Sequence, residues 1–467
     1  MEICDKYLED ARKALKSSMF SKPDLAEAVR SFEGAAQCFE NFKNYERAAQ
    51  CYIDTVNFII SSDPLKAASL LERAGICLEK VGGDAHEYHL KSADIYREHA
   101  ITLYRTNPEQ GLQLLQKAAD NYERGGDRDT AIQCYEVGAE ASMKRKDYLN
   151  ALVFYGTAAQ NYERRKEYKK AVKFYHKVAQ LWDLQNVPEN VAENYTRMAL
   201  CLRALEENVY ASEFFIKAAE EYEKARKLYE SSKSYQEAAI TYESQGDVKK
   251  AATIFEKAAE ITKSLKNRDK YEELVTKAAE CFSEAGDTQK AVDLHLLLAD
   301  TFTDDQYRCN KHFKEAISYA DYDPSLKISL LKRQGETLLQ GHDYFNAARC
   351  YVEAAELCEQ QGESSVEYYK KAGDISVQYA ESMIKVRNKS RSKEGYEQAA
   401  EYYGKAGLSG EIEHIKELME AGSEERKTQI SKELERLKND VEKGYLPLPL
   451  YNQMKEGYEE ILRQLKK

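Results

Sequence analysis

Residues 119–139 read ADNYERGGDRDTAIQCYEVGA, and residues 159–179 read AQNYERRKEYKKAVKFYHKVA. Each stretch sets a small residue first, a tyrosine three further on, then small, ring, small at +12, +16 and +20. The pattern recurs with a fixed step of 40, starting at Ala119, Ala159, Ala199, Ala239 and Ala279; Leu202, Tyr242 and Phe282 fill later +3 positions, and Phe215, Phe255 and His295 later +16 positions. Five copies in step establish an internal repeat, and periods of this length mark stacked arrays. The small residue and the ring at +3 share one face of a first helix, while +12, +16 and +20 share one face of a second. Each copy is therefore a helical hairpin, in which the small residues let backbones approach and the ring fills the space between them.

The same offsets recur at Ala36, Phe39, Ala48, Tyr52 and Val56, and again at Gly335, Leu338, Ala347, Tyr351 and Ala355. A degenerate copy near Ala74 and Cys77 has its second helix one residue early, at Ala85, His89 and Ala93. Gly and Asp in GGDRD (125–129) and GDVKK (246–250) supply a helix stop and the next N-cap. Asp63-Pro64, Asn107-Pro108 and Asp323-Pro324 mark helix starts, where proline's missing N–H costs nothing. After Ala299 the step is lost and an extra helix is expected around 306–320. The basic stretch IKVRNKSRSK (384–393) reads as an exposed connection without core positions. In the tail, Ile430, Leu434, Leu437 and Val441 recur at coiled-coil spacing before LPLPL (446–450) and a last helix; a two-helix cap and a pairing coil both fit.

Composition supports a helical array. The chain of 467 residues has only 7 Pro, 34 Tyr and 32% charged residues. Its net charge of -11 argues against nucleic acid as a partner, because phosphate demands a basic surface. The ten cysteines show no CxxC pair, and Cys38, Cys134 and Cys201 sit inside helical patterns, so all are expected reduced, as in the cytosol. MEICDKYLEDARKAL at the start is acidic and amphipathic, and no run of about 18 apolar residues occurs. A cytoplasmic protein, peripheral on membranes at most, is expected.

The skeleton of small, ring, small, ring, small resembles the tetratricopeptide repeat, whose usual period is about 34 residues. Unaltered offsets inside a longer period imply elongated hairpins, and these resemble the soluble NSF attachment proteins (SNAPs), adaptors of vesicle fusion. The likeness is closest in KSSMFSKPDLAEAVRSFEGAAQCFENFKNYERAAQCY (16–52), which is similar to gamma-type members. The expected fold is all-α: a right-handed α-α superhelix of elongated tetratricopeptide-like hairpins, with SNAP-like repeats over 1–300, less regular repeats over 301–410 and a C-terminal helical cap or coil over 411–467. The resemblance implies a protein-binding adaptor that grips a SNARE helical bundle and recruits a disassembly ATPase in vesicle-mediated transport. It also implies a membrane-touching apolar loop, which here holds Met19 and Phe20; packing of Phe20 on the first hairpin is the competing reading. A general repeat scaffold, or a mimic of the trafficking factor, holding a peptide or helix of another complex is the alternative function.

Residues 144–177 hold ten Lys/Arg against three acids, inverting the overall charge. Lys166, Lys170, Lys173 and Lys177 follow helical spacing and read as one stripe on the second helix of their copy. Arg164, Arg165, Lys144, Arg145 and Lys146, at the neighbouring turns, extend it into a candidate surface for an acidic partner, set against an ordinary solvated face. His86, His89 and His99 lack ligand spacing, so no metal is expected, and His295 reads as a packed ring. Trp182 is expected in the core at a repeat seam. No phosphate loop, GxSxG, HExxH or Cys/His nucleophile signature occurs, so neither catalysis, cofactor nor small-molecule substrate is expected.

Overall fold

The computed structural model describes residues 2–16 and 23–464, apart from the side chains of 421–426 and Gln464. Met19 and Phe20 lie outside the described residues. Helices account for all the regular structure among them, and the chain divides into two compact units, Met1–Asn267 and Arg268–Lys467.

In the first unit, α1 (Glu2–Ala14) precedes six hairpins: α2 (Leu25–Asn41) with α3 (Tyr45–Ile59), α4 (Pro64–Lys80) with α5 (His86–Leu103), α6 (Pro108–Arg124) with α7 (Arg128–Lys144), α8 (Tyr148–Arg164) with α9 (Tyr168–Leu184), α10 (Pro188–Ala204) with α11 (Asn208–Lys224), and α12 (Leu228–Ser244) with α13 (Val248–Ser264). The second unit begins with α14 (Arg268–Glu284) and α15 (Thr288–Thr301), then a single helix α16 (Gln306–Tyr319) where the sequence requires one, and a 3-10 turn at Ala320–Tyr322. The hairpins α17 (Pro324–Gln340) with α18 (Tyr344–Gln361) and α19 (Val366–Lys385) with α20 (Lys389–Lys405) follow, then α21 (Ser409–Glu442) and α22 (Leu448–Gln464).

The 40-residue step resolves into two steps of 20. From α6 to α14 every helix has 17 residues, and three-residue turns join them. The middle turn residue is left-handed each time: Gly126, Lys146, Lys166, Asn186, Glu206, Arg226, Gly246, Lys266 and Gly286 all have φ between 56 and 83°. Such a residue ends the preceding helix. The third turn residue starts the next one: the carboxylates of Asp127, Asp147, Asp247 and Asp287 accept hydrogen bonds from the N–H groups of Thr130, Asn150, Lys250 and Lys290, a cap worth about 1 kcal/mol. Because consecutive helices are antiparallel, turns after odd-numbered helices lie at one edge of the first unit and turns after even-numbered helices at the other.

The recurring residues form the core. Ala119, Ala131, Ala159, Ala171, Ala199 and Ala211 are fully buried, with Tyr135, Tyr175, Phe215 and Phe255 between them. The hydroxyls of Tyr52, Tyr175 and Tyr235 each donate to a glutamate twelve residues upstream, Glu40, Glu163 and Glu223. Burial first, then these carboxylates, push the phenols above their ordinary range, so they stay protonated donors. Truncating such a ring to alanine costs about 3–5 kcal/mol.

Two expectations change. Cys38 is not a free thiol: it is bonded to Cys4, which α1 lays against α2 at a Cα separation of 5.4 Å. No spacing rule marks a partner 34 residues away, so the expectation of wholly reduced cysteines fails for this pair; the other eight are free and buried. Residues 384–393 are not a loop either. They are the end of α19, a turn with Arg387 left-handed and Asn388 capping α20, and the first turn of α20, whose Ser392 is buried. In the tail, Ile412 and Ile415 of α21 pack on Tyr396 and Tyr403 of α20, and α22 folds back along α21, which buries Ile430 and Leu437.

Candidate functional site

The nine basic residues singled out by sequence fall into three groups rather than one patch. Lys144, Arg145 and Lys146 sit at the start of α8 and Arg164, Arg165 and Lys166 at its end, so 17 residues of helix, about 25 Å, separate them. Lys166 occupies the left-handed position of the α8–α9 turn, one residue outside the cap, and so is not part of a stripe on α9. The third group, Lys170, Lys173 and Lys177, does share a face of α9. Lys170 Nζ stands 4.9 Å from the Tyr162 ring centre, and Lys177 Nζ 4.6 Å from that of Tyr155. Aromatic faces attract such cations and hold their stems in place.

Three of the nine are engaged within the chain. Arg165 pairs with Asp129 and Glu167, and Lys170 also pairs with Glu167 at 2.9 Å, while Lys177 is held over its rings. The charge left for a partner comes mainly from Arg164, Lys166 and Lys173 beside α9, and from the Lys144–Lys146 turn at the far edge.

A groove that the sequence did not reveal runs between α8 and α10, floored by Tyr175, Val178 and Trp182 of α9, with a volume of about 380 Å3. Trp182 is half-buried there, packed against the core on one side and lining the groove on the other. A second hollow, of about 500 Å3, shares Gln160 and Arg197 with it and reaches Arg164 and Tyr168. Gly156, midway along α8, marks the rim. Most other mid-helix glycines relieve close contacts; a Cβ on Gly75 would meet the His89 ring at 2.6 Å, whereas one on Gly156, as on Gly457, would meet nothing within 4 Å. Glycine inside a helix costs about 1 kcal/mol relative to alanine, and the chain itself makes no use of the space it leaves. The signal was present in the sequence as an unexplained helical glycine.

The second unit holds a buried polar chain. His295, at a ring position of the repeat, and His312 of α16 are both buried, with their Nδ1 atoms 3.2 Å apart; His312 Nε2 lies 3.2 Å from Glu272 Oε1. With neutral rings, His312 Nε2–H donates to Glu272 and His295 Nδ1–H donates to His312 Nδ1. Burial, then the neighbouring His312 and Lys311, lower the His295 pKa to about 4. His89 is likewise buried and hydrogen-bonded through Nδ1 to Asn121. No group of three His, Cys, Asp or Glu able to hold a metal occurs among the described residues. Burial pushes the thiols of Cys51 and Cys134 up to about 11, and those of Cys201 and Cys350 up to about 12, the opposite of nucleophile activation.

Elongated hairpins of this kind suit a known adaptor family, and the family profile described as soluble NSF attachment protein, SNAP, matches residues 6–164, 223–305 and 264–414. The chain belongs to the SNAP family. Its repeats are those of a helical, protein-binding adaptor. No curated protein matches the sequence significantly. Among solved structures, the chain is similar to BtubC (BKLC) from P. vanneervenii, with 21% identity, a TM-score of 0.29, and coverage of 45% of this chain and 88% of that one. It is also similar to the apo form of RapI, with 14% identity, a TM-score of 0.32, and coverage of 81% and 98%. A third is a signal transduction ATPase with a tetratricopeptide repeat sensor from Pyrococcus horikoshii, with 15% identity, a TM-score of 0.27, and coverage of 79% and 55%. No helix among the described residues is long and apolar enough to cross a membrane.

Proposed function

We propose that this SNAP-family chain is a non-catalytic adaptor that binds an assembled SNARE helical bundle and recruits a disassembly ATPase in vesicle-mediated transport. Family membership over most of the chain carries the reading. The α9 face supports it locally: Lys173 is exposed, Lys170 and Lys177 are steadied over tyrosine rings, and Arg164 and Lys166 stand at the adjoining turn. Cations arranged this way on a rigid helix suit rim contacts and steering toward an acidic bundle, with strong salt dependence.

The test is capture of an assembled SNARE bundle by wild type and by a variant carrying Lys166→Glu, Lys170→Glu, Lys173→Glu and Lys177→Glu. Wild-type capture that weakens with salt and falls at least tenfold in the variant supports the reading. No capture by wild type at low salt overturns it. The α8–α10 groove favours a second reading, a scaffold that seats one apolar side chain of a peptide or helix beside Gly156. Retention of SNARE binding by Gly156→Leu, together with loss of another partner, would select it.

A further inference from the structure

From α6 onward the turns at the two edges of the first unit share one geometry and carry opposite charge. At the odd edge, the turns 145–147, 185–187, 225–227 and 265–267 contain Arg145, Lys146, Arg226, Lys227 and Lys266 against one acid, Asp147. At the even edge, the turns 125–127, 165–167, 205–207 and 245–247 contain Arg165 and Lys166 against Asp127, Glu167, Glu206, Glu207 and Asp247. In these turns, five bases against one at one edge, and two against five at the other, cannot arise from turn chemistry, because the backbone is the same at both. Glycine is the residue that adopts the left-handed position without strain, and the even edge uses it at Gly126 and Gly246. The odd edge never does: it places Lys146, Asn186, Arg226 and Lys266 there, all exposed. Among the described residues Arg145, Lys146, Arg226 and Lys266 have no acid partner; Asp147 is taken by the N–H and side-chain amide of Asn150, and Lys227 pairs with Glu189 at 2.9 Å.

Large apolar side chains stand out between the cations. Leu149, Leu184 and Tyr229, each within three residues of an odd-edge turn, are 69%, 72% and 64% exposed. Basic tips interleaved with leucine and tyrosine are the chemistry of a membrane interface, where the cations meet anionic headgroups and the apolar groups enter the headgroup boundary.

We infer that the odd edge of the first unit docks on an anionic lipid surface. An acidic protein is the lesser match. It would need acceptors in register with each turn, and nothing in the structure fixes these side chains to meet them; a lipid surface presents charge at every turn without register. This site is independent of the SNARE reading, which rests on the α9 face. Each Lys or Arg close to an anionic leaflet multiplies binding about fivefold at moderate salt, so four reversals abolish the attraction.

The experiment is co-sedimentation of the full-length chain with vesicles of phosphatidylcholine alone and with about one-third phosphatidylserine, across a salt series. Wild type is compared with Arg145→Glu/Lys146→Glu/Arg226→Glu/Lys266→Glu, and with Arg164→Glu/Lys166→Glu/Lys170→Glu/Lys173→Glu as a charge-matched control at the other face. Circular dichroism establishes that the variants are folded; Arg145→Gln/Lys146→Gln/Arg226→Gln/Lys266→Gln substitutes where reversal disturbs folding. The expected result is wild-type binding to phosphatidylserine vesicles only, weakening with salt, at least a hundredfold lower in the edge variant and little changed in the control. Absence of wild-type binding at low salt overturns the inference, as does equal loss in the control. An edge variant that keeps vesicle binding but loses SNARE capture would make the edge a protein surface, which also overturns it.

Discussion

Acidification should loosen the second unit through His295, and the structure fixes both sign and size. The side chain is buried between His312 and Tyr319, and burial lowers its folded pKa to about 4 from an ordinary 6.5. A depressed histidine favours the neutral form when folded, so its contribution is complete above pH 6.5 and is lost as pH falls from 6.5 toward 4. Within that window the unfolded state carries the extra proton, and stability declines by about 1.4 kcal/mol per pH unit. At pH 5 the loss is about 2 kcal/mol. His312, lowered in the same direction by burial, belongs to the same coupled pair. Asp304, held down at about 2 by Arg268, acts only below pH 4 and does not interfere. The assay is hydrogen exchange of peptides spanning α15 and α16 at pH 7.5 and 5, corrected for chemical exchange; 2 kcal/mol corresponds to about thirtyfold faster opening. His295→Phe, which installs the ring found at 215 and 255 in equivalent positions, should remove the His295 share of the pH dependence and leave that of His312, although it leaves His312 Nδ1 without its donor and so lowers stability at both pH values by about 1–3 kcal/mol. Protection unchanged in wild type between the two pH values, or an equal loss in His295→Phe, would refute the reasoning.

Other outcomes follow from the turns, the groove and the tail. Glu206→Gly should raise stability by about 1 kcal/mol, because Glu206 is exposed and left-handed, and Gly246→Ala should lower it by a similar amount; urea midpoints read both. Gly156→Ala should stabilise α8 by about 1 kcal/mol, since its Cβ meets nothing within 4 Å, and a melting temperature that falls would show the space is already used. Ile415→Ala should cost about 2–5 kcal/mol, since Ile415 is buried against α20; exchange in α20 and α21 should quicken together, and unchanged exchange in α20 would mean that α21 does not hold it.

The core was legible because it repeats. Ala119, Tyr135 and Phe215 recur at fixed offsets, and burial selects such residues for size whatever their partners. Helix starts were legible where Asp or Asn precedes the first turn, as at Asp63, Asn107 and Asp127. The site was less so. Lys144–Lys146 and Arg164–Lys166 look adjacent in a charge count, yet α8 holds them about 25 Å apart. The stretch 384–393 looked like a loop because polar helix ends and a three-residue turn have the same composition as one.

By itself the sequence determined the helical hairpin, its elongation beyond the 34-residue repeat, and the residues that fill the core, because packing acts on every copy alike and so writes a period. Only the tertiary structure decided that the true unit is 20 residues, that Cys4 meets Cys38, that a groove opens beside Gly156, and that the two edges of the first unit differ in charge. Those features depend on which side chains antiparallel helices bring to the same end or face. Residues 40 apart become neighbours there while residues 20 apart are separated, an arrangement that local spacing does not record.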